Sequence, residues 1–274
     1  MSIGVTTLHD VSEDLSLALR LADAADALTM QRFGALDLRV ETKPDLTPVS
    51  DADRATEELL RELIAAERPD DTIMGEEFGE TGTAERCWVV DPIDGTKNYI
   101  RGVPVWATLI ALTTTWPVRT SSSIMLGVVS APALGRRWWA SRGHGAWLTV
   151  GAEPRRLGVS AVKQLVDASL SFTEWKDPQW DADGRRPGFD KLLRDVWRSR
   201  AFGDFWSHMM VAEGASDVAA EPELFPWDMA ALIPIVEEAG GQVTGLDGGS
   251  PMVSGSAISS NGALHSDVLD YFNR

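Results

Sequence analysis

Trp88-Val89-Val90-Asp91-Pro92-Ile93-Asp94-Gly95-Thr96 runs an apolar strand into two carboxylates three residues apart, then a turn glycine and a hydroxyl. Pro92 stiffens the backbone between Asp91 and Asp94 and has no N–H to donate. Gly95 and Thr96 are suited to open a helix whose first amides lack intrahelical acceptors and face an anion. A divalent cation and a phosphate are the natural occupants of such a turn. The same residues also read as an Asp cap after an ordinary strand-to-helix loop, so the rest of the chain must supply partners if the turn is to carry chemistry.

The chain has 274 residues, 44% of them hydrophobic, enough for one large domain or two packed subdomains. Its 41 acidic and 25 basic residues give a net charge of -16, without a Lys/Arg cluster of the kind that neutralises a nucleic-acid backbone. Nucleic acid and membrane surfaces are poor partners for such a chain. A cationic substrate, or an anionic one bridged by metal ions, is compatible with it. Cys87 is the one cysteine, which rules out an intrachain disulfide and a thiolate metal cluster. Residues 1–10 lack the basic and apolar regions of a signal peptide, and no apolar run reaches the roughly 18 residues of a membrane span. A cytoplasmic protein is the expectation.

Leu15, Leu19 and Ala22, with Leu17, Leu21 and Leu28, recur at helical spacing and predict a helix over residues 10–33, with Asp10 and Glu13 spaced as a capping box. A strand is expected within residues 36–42. A second helix is expected over residues 51–67, with Ala55, Leu59 and Leu63 as its apolar face and Glu57 and Arg61 as an exposed i,i+4 pair. Residues 72–77 read as a short strand ending in Glu76 and Glu77. Residues 106–114, 123–130, 136–141 and 145–150 read as strands of an antiparallel meander. The character changes around residues 151–156, which divides the chain into an α+β subdomain, residues 1–153, and an α/β subdomain, residues 154–274. In the second, strands at 165–172, 242–244 and 257–259 alternate with helices at 188–197, 204–215 and 227–239, as in a parallel layer. A helix near 265–272 closes the chain. Pro234 should bend the helix that contains it, and residues 174–187 read as a surface loop.

Acidic residues therefore stand at element ends, where side chains converge: Asp51, Glu76, the Asp91/Asp94 pair, and Asp228 opening Trp227-Asp228-Met229-Ala230-Ala231. Asp51 and Asp228, each taken alone, also read as helix caps. The set Gly75-Glu76-Glu77, Asp91-Pro92-Ile93-Asp94-Gly95-Thr96 and Trp227-Asp228-Met229-Ala230-Ala231, followed by Glu238-Ala239-Gly240-Gly241, resembles the inositol monophosphatase family of Mg2+-dependent, Li+-sensitive phosphatases. The resemblance spans residues 13–272. It implies an α+β fold, a layered αβαβα sandwich of the inositol monophosphatase/fructose-bisphosphatase type, with an antiparallel sheet and a second, more parallel one. It further implies that Glu76, Asp91, the Ile93 carbonyl, Asp94 and Asp228 bind two or three Mg2+ ions. Thr96 with Asp51 would orient and help deprotonate the attacking water, with Glu76 counted among the catalytic groups. The Gly95 and Thr96 amides would hold phosphate oxygens, with Asp228 also facing the substrate. Lys43 corresponds to a lysine that precedes the first aspartate in the family, and a homodimer is the implied assembly. The chemistry agrees: converging carboxylates repel unless cations neutralise them, and oxygen-only ligands favour Mg2+ over zinc. Two metals then clamp an in-line phosphoryl transfer.

The alcohol is read elsewhere. Arg200-Ala201-Phe202-Gly203-Asp204-Phe205-Trp206-Ser207-His208 departs from the inositol-processing pattern, which has a small neutral residue where this chain has Asp204. The Gly-Asp-Phe-Trp run resembles the histidinol-phosphate phosphatase branch, which acts in histidine biosynthesis. Histidinol carries an ammonium and an imidazole, and a buried cation needs paired carboxylates. Asp204 and Glu221 are the candidates for that recognition, although Asp204 also reads as a helix cap and Glu221 as a loop acid. An inositol, polyol or sugar phosphatase is the alternative substrate reading. A binding module that keeps the fold without catalysis is disfavoured by the intact acidic set and Thr96.

Overall fold

The computed structural model describes residues 4–44, 46–151 and 153–273. The chain begins with α1 (Gly4–Arg32), the hairpin β1 (Val40–Thr42) and β2 (Pro48–Ser50), and α2 (Asp51–Glu67). β3 (Thr72–Gly75) and β4 (Gly79–Thr81) lead into β5 (Cys87–Asp94) and the single turn α3 (Thr96–Tyr99). The meander follows as β6 (Ala107–Thr113), β7 (Ile124–Ala131), β8 (Arg136–Ser141), β9 (Ala146–Val150) and β10 (Glu153–Arg156). These strands form one eight-stranded sheet in the order β10-β9-β8-β7-β6-β5-β3-β4, with β3–β5 as its parallel pair. The sheet thus continues to Arg156, past the residue 153/154 division drawn from composition.

The second half supplies β11 (Ser169–Ser171), α4 (Arg186–Asp195), β12 (Arg198–Arg200), α5 (Asp204–Ala212), β13 (Val218–Glu221), α6 (Pro226–Met229) and α7 (Leu232–Glu238). It ends with β14 (Gln242–Thr244), α8 (Pro251–Ser254), β15 (Ala257–Ser260) and α9 (His265–Leu269). The second sheet has the order β12-β11-β13-β15-β14. It is mixed: β11 pairs in parallel with β12 and β13, while β15 is antiparallel to β13 and β14.

Period-2 alternation assigns the two faces of β5. Trp88 and Val90 pack with Leu17, Leu21, Leu60 and Ile64 of α1 and α2. Val89, on the opposite face, belongs to the core that contains Phe205 and Met209 of α5 and Ile233 and Val236 of α7. Beyond α5 and α7 lies the second sheet, whose Leu170, Val218 and Ile258 pack with Phe189 and Leu192 of α4 and Val268 of α9. The order is helix, sheet, helix, sheet, helix, the α+β sandwich expected.

Four expectations are corrected. α1 already runs from Gly4, so Asp10 lies inside the helix rather than at its cap. α2 has the expected bounds, but its fully buried stripe is Ala52, Thr56, Leu60 and Ile64, and Glu57 is buried with it. Residues 227–239 form two helices, since Pro234 has no N–H to bond the Ala230 carbonyl. At this break the Ala231 carbonyl comes so close to Gly127 of β7 that any Cβ there would strike it. Residues 174–187 are not simply a surface loop: a 3-10 segment, Pro178–Gly184, buries Trp180, which stacks on Phe189 at 3.7 Å and 3°.

Candidate active site

The end of β5 is bent by its own sequence. Asp91 pairs with Leu109 and Asp94 with Ala107, three residues against two, so the ladder carries a bulge at Pro92-Ile93. Proline suits a bulge because it has no N–H to leave unpaired, and the Pro92 carbonyl accepts from Thr108 Oγ1 at 2.8 Å. The bend turns Asp91 and Asp94 toward one point. Gly95 follows at φ 84°, and a side chain there would crowd the Val105 carbonyl at 3.1 Å and Asp204 Oδ2 at 3.3 Å.

Carboxylate oxygens of Asp91, Asp94 and Asp228 lie within 4.8 Å of one another. Each carboxylate accepts one backbone amide: Asp91 Oδ1 from Ile93 at 2.9 Å, Asp94 Oδ2 from Phe205 at 2.7 Å, and Asp228 Oδ2 from Phe225 at 2.7 Å. Burial, then mutual repulsion with Glu76 and Asp228 among the neighbours, lifts Asp91 and Asp94 well above the ordinary carboxylate range. Asp228 is pushed to about 7, again by burial first, with Glu76 and Asp204 adding repulsion against the Phe225 amide. Glu76 is raised by burial, opposed by Lys43, whose Nζ donates to Glu76 Oε1 at 2.8 Å and Glu77 Oε1 at 2.6 Å. Burial disfavours the Lys43 ammonium, but these two carboxylates prevail and hold its pKa above the ordinary value. So many clustered carboxylates call for either protons or a cation. Their donor atoms are all oxygen, which fits Mg2+.

Thr96 Oγ1 reaches Asp53 Oδ1 at 3.2 Å and the Ile93 carbonyl at 3.0 Å. The expected Asp51–Thr96 pairing is therefore corrected. Asp51 Oδ2 accepts from Arg32 at 2.9 Å, whereas Asp53, two residues on, faces Thr96. Asp53 is fixed by a capping box, its Oδ2 accepting from the Ser50 amide at 2.8 Å and the Ser50 hydroxyl at 2.5 Å. Burial raises its pKa to about 6 against these bonds. The Ser50-x-x-Asp53 spacing was the available signal for it. Glu57 was also missed as a supporting residue: its carboxylate accepts the Glu77 amide at 2.6 Å and the Phe78 amide at 3.2 Å, holding the turn that carries Glu76. That carboxylate lies where a Cβ on Gly75 would be, so the strand must end in glycine.

Across the cleft, Glu221 ends β13 and is 3% exposed, so it is not a loop acid. Asp204 is the first residue of α5, after Gly203 at the cap position. Thr173 joins the two: its Oγ1 donates to Glu221 Oε1 at 2.7 Å and accepts the Asp204 amide at 3.0 Å. Asn98 Nδ2 donates to Asp204 Oδ2 at 3.3 Å. Burial lifts Asp204 to about 6, opposed by Lys97, and Glu221 to about 8, opposed by Thr173. Thr173 and Asn98 are single polar residues in loops and helix turns, with nothing in the sequence to mark them. Glu76, Asp94, Asp228, Asp204 and Glu221 all line one cleft of about 470 Å3, with Asp91 buried beneath it.

A sequence profile described as the inositol monophosphatase family matches residues 10–274. The chain belongs to the inositol monophosphatase family. That membership makes it a phosphoric monoester hydrolase. It is 57% identical to a histidinol-phosphatase of Streptomyces coelicolor over 268 residues, covering 97% of this chain and 99% of the relative. It is 56% identical to a histidinol-phosphatase of Mycobacterium tuberculosis, covering 95% and 98%. Among solved structures, the extragenic suppressor protein suhB of Bartonella henselae superposes with a TM-score of 0.84 at 27% identity, over 96% of this chain and 99% of that one. No helix among the described residues is long and apolar enough to cross a membrane.

Proposed function

We propose that the protein hydrolyses L-histidinol phosphate to L-histidinol and phosphate, as a Mg2+-dependent step of histidine biosynthesis. The observation that carries this reading is the second acid pair, Asp204 and Glu221, joined through Thr173 on the wall of the phosphatase cleft. An inositol ring offers hydroxyls and no charge. Histidinol offers an ammonium and an imidazole, and a cation entering the cleft draws Glu221 toward its ionised form. Identities of 56–57% to two histidinol-phosphatases support the same assignment.

Glu76, Asp91, Asp94, Asp228 and the Ile93 carbonyl would hold Mg2+, two or three ions by the family resemblance. When bound, Mg2+ supplies the positive charge that neutralises phosphate oxygens and activates water. The Gly95 and Thr96 amides receive the phosphate as it enters. Thr96 Oγ1 donates to Asp53 and offers its lone pair to the attacking water, so the proton passes through Thr96 to Asp53, whose pKa of about 6 suits a general base near neutrality. Lys43 orients the Glu76 and Glu77 carboxylates and opposes the rise that burial imposes on both. A homodimer in the cytoplasm completes the reading.

The test is kcat/KM for histidinol phosphate against inositol 1-phosphate at saturating Mg2+. A preference for inositol 1-phosphate rejects the assignment. Asp204→Asn tolerates the left-handed backbone at this position, φ 49°, and removes the charge. It is expected to lower kcat/KM for histidinol phosphate roughly tenfold more than for inositol 1-phosphate. Equal losses on both would make Asp204 a structural residue.

A further inference from the structure

His208 lies one turn after Asp204 on α5, lines the same cleft and is 2% exposed. Its Nδ1 is 2.7 Å from Ser259 Oγ on β15. Its Nε2 is buried and has no hydrogen-bond partner. Buried ring nitrogens are almost always paired, because an unpaired one forfeits its hydration with no return. Packing does not account for the residue either: a leucine would fill a buried α5 position without stranding a polar atom. Burial holds the ring's pKa down at about 4, so it is neutral at pH 7.

The place of His208 indicates what it can meet. The amide of Phe205, three residues earlier, is bonded to Asp94 in the carboxylate cluster. A helical rise of about 1.5 Å per residue sets His208 about 4.5 Å farther along the axis from that cluster. Asp204, at the opposite end of this turn of α5, and Glu221 of β13 line the same cleft. With Nδ1 engaged by Ser259, Nε2 is the ring nitrogen left without a protein partner.

We infer that His208 is a specificity-determining residue whose Nε2 hydrogen-bonds the alcohol portion of the phosphomonoester, at the end remote from the phosphate, with Ser259 as the residue that positions the ring. The chemical class it selects is an alcohol that carries a nitrogen or oxygen hydrogen-bonding group beyond the ester carbon. The inference rests on the phosphomonoesterase reading of the cleft; it does not depend on which polar alcohol is preferred.

The experiment compares wild type, His208→Leu, His208→Gln and Ser259→Ala on histidinol phosphate and on methyl phosphate, whose alcohol has no polar group, at saturating Mg2+. One lost neutral hydrogen bond predicts that His208→Leu loses about fivefold to tenfold more kcat/KM on histidinol phosphate than on methyl phosphate, chiefly through KM. The amide of His208→Gln restores a polar group and most of the loss, and Ser259→Ala reproduces the pattern more weakly. Losses equal on both substrates, or no loss on histidinol phosphate, overturn the inference. Thermal unfolding is measured alongside; if the leucine variant does not fold, His208→Met carries the same expectation. A wild type that prefers inositol 1-phosphate would sink the histidinol assignment alone, and the His208 comparison would then be made between inositol 1-phosphate and methyl phosphate.

Discussion

Two groups of carboxylates face one cleft; burial is the first cause that raises both, and they differ in what else surrounds them. Around the end of β5, the oxygens of Asp91, Asp94 and Asp228 lie within 4.8 Å of each other. Their pKa values rise through burial and then through repulsion from one another, from Glu76 and from Asp204. On the far wall, Asp204 and Glu221 are linked by neutral Thr173, and burial is the first cause of their shifts. The first group is electrostatically incomplete without cations. In the second, burial lifts Glu221 to about 8, so it holds a proton near neutrality that a positively charged guest would displace. On the proposed reading, substitutions in the two groups separate phosphate chemistry from choice of alcohol, although Asp204 also repels Asp94 and Asp228.

The largest expected effect is on the first group. Asp94→Asn should lower kcat on the order of 10²–10³-fold with every phosphomonoester, by weakening the charge arrangement that phosphoryl transfer requires. The same substitution relieves repulsion, so in EDTA the variant should unfold at a higher temperature than wild type. Added Mg2+ should raise its midpoint less, since stabilisation by a ligand follows its affinity for the folded state. An inactive variant with a lower midpoint in EDTA would break the claim that this group is strained without cations.

A smaller effect distinguishes the two acids at the start of α2. Asp53→Asn should reduce kcat about 10²-fold or more on all substrates, with little change in KM, if Asp53 is the proton acceptor behind Thr96. Asp51→Asn removes only a half-exposed pair with Arg32, of a kind worth about 0.2–1 kcal/mol, and should leave kcat near the wild-type value. The reverse outcome would return the role to Asp51.

This pair also marks where sequence reading stops. Asp51 and Asp53 open the same helix with the same chemistry, but side chains two residues apart point about 200° apart around the axis. Only the packing of α2 on the first sheet decides which one meets Thr96. The sheet itself was legible, because β5 to β7 are near-continuous runs of apolar and β-branched residues and β8 and β9 follow short turn signals. That Asp91-Pro92-Ile93-Asp94 carries chemistry was legible, because proline and paired carboxylates have few ordinary uses at a strand end; the bulge itself was not. Val218-Ala219-Ala220-Glu221 was not read as a strand, since a short run of small apolar residues fits helix and strand alike. It became the central β13 through pairing with β11 and β15, which are remote in sequence. Glu57 read as an exposed partner of Arg61 because the pair does exist; its burial comes from the β3–β4 turn folding over it.

A test that is smallest per pH unit asks whether the second acid group is held by burial. Glu221 has its pKa raised to about 8 from an ordinary 4.5. Below pH 4.5 it is protonated in both folded and unfolded chains, and the folded state has its full stability. Between pH 4.5 and about 8 the unfolded chain releases the proton while the folded chain keeps it. Stability therefore falls as pH rises, by at most about 1.4 kcal/mol per unit from this group. Above pH 8 both states are ionised and the loss is complete. Glu221→Gln removes the titration, so the variant should match wild type near pH 5 and exceed it in urea unfolding by pH 8. Identical pH slopes for the two proteins would show that Glu221 is not held by burial. Saturating L-histidinol gives the sharper form, because an ammonium beside Glu221 stabilises its ionised state. The product should flatten the wild-type slope between pH 5 and 8 and leave the slope of the variant unchanged.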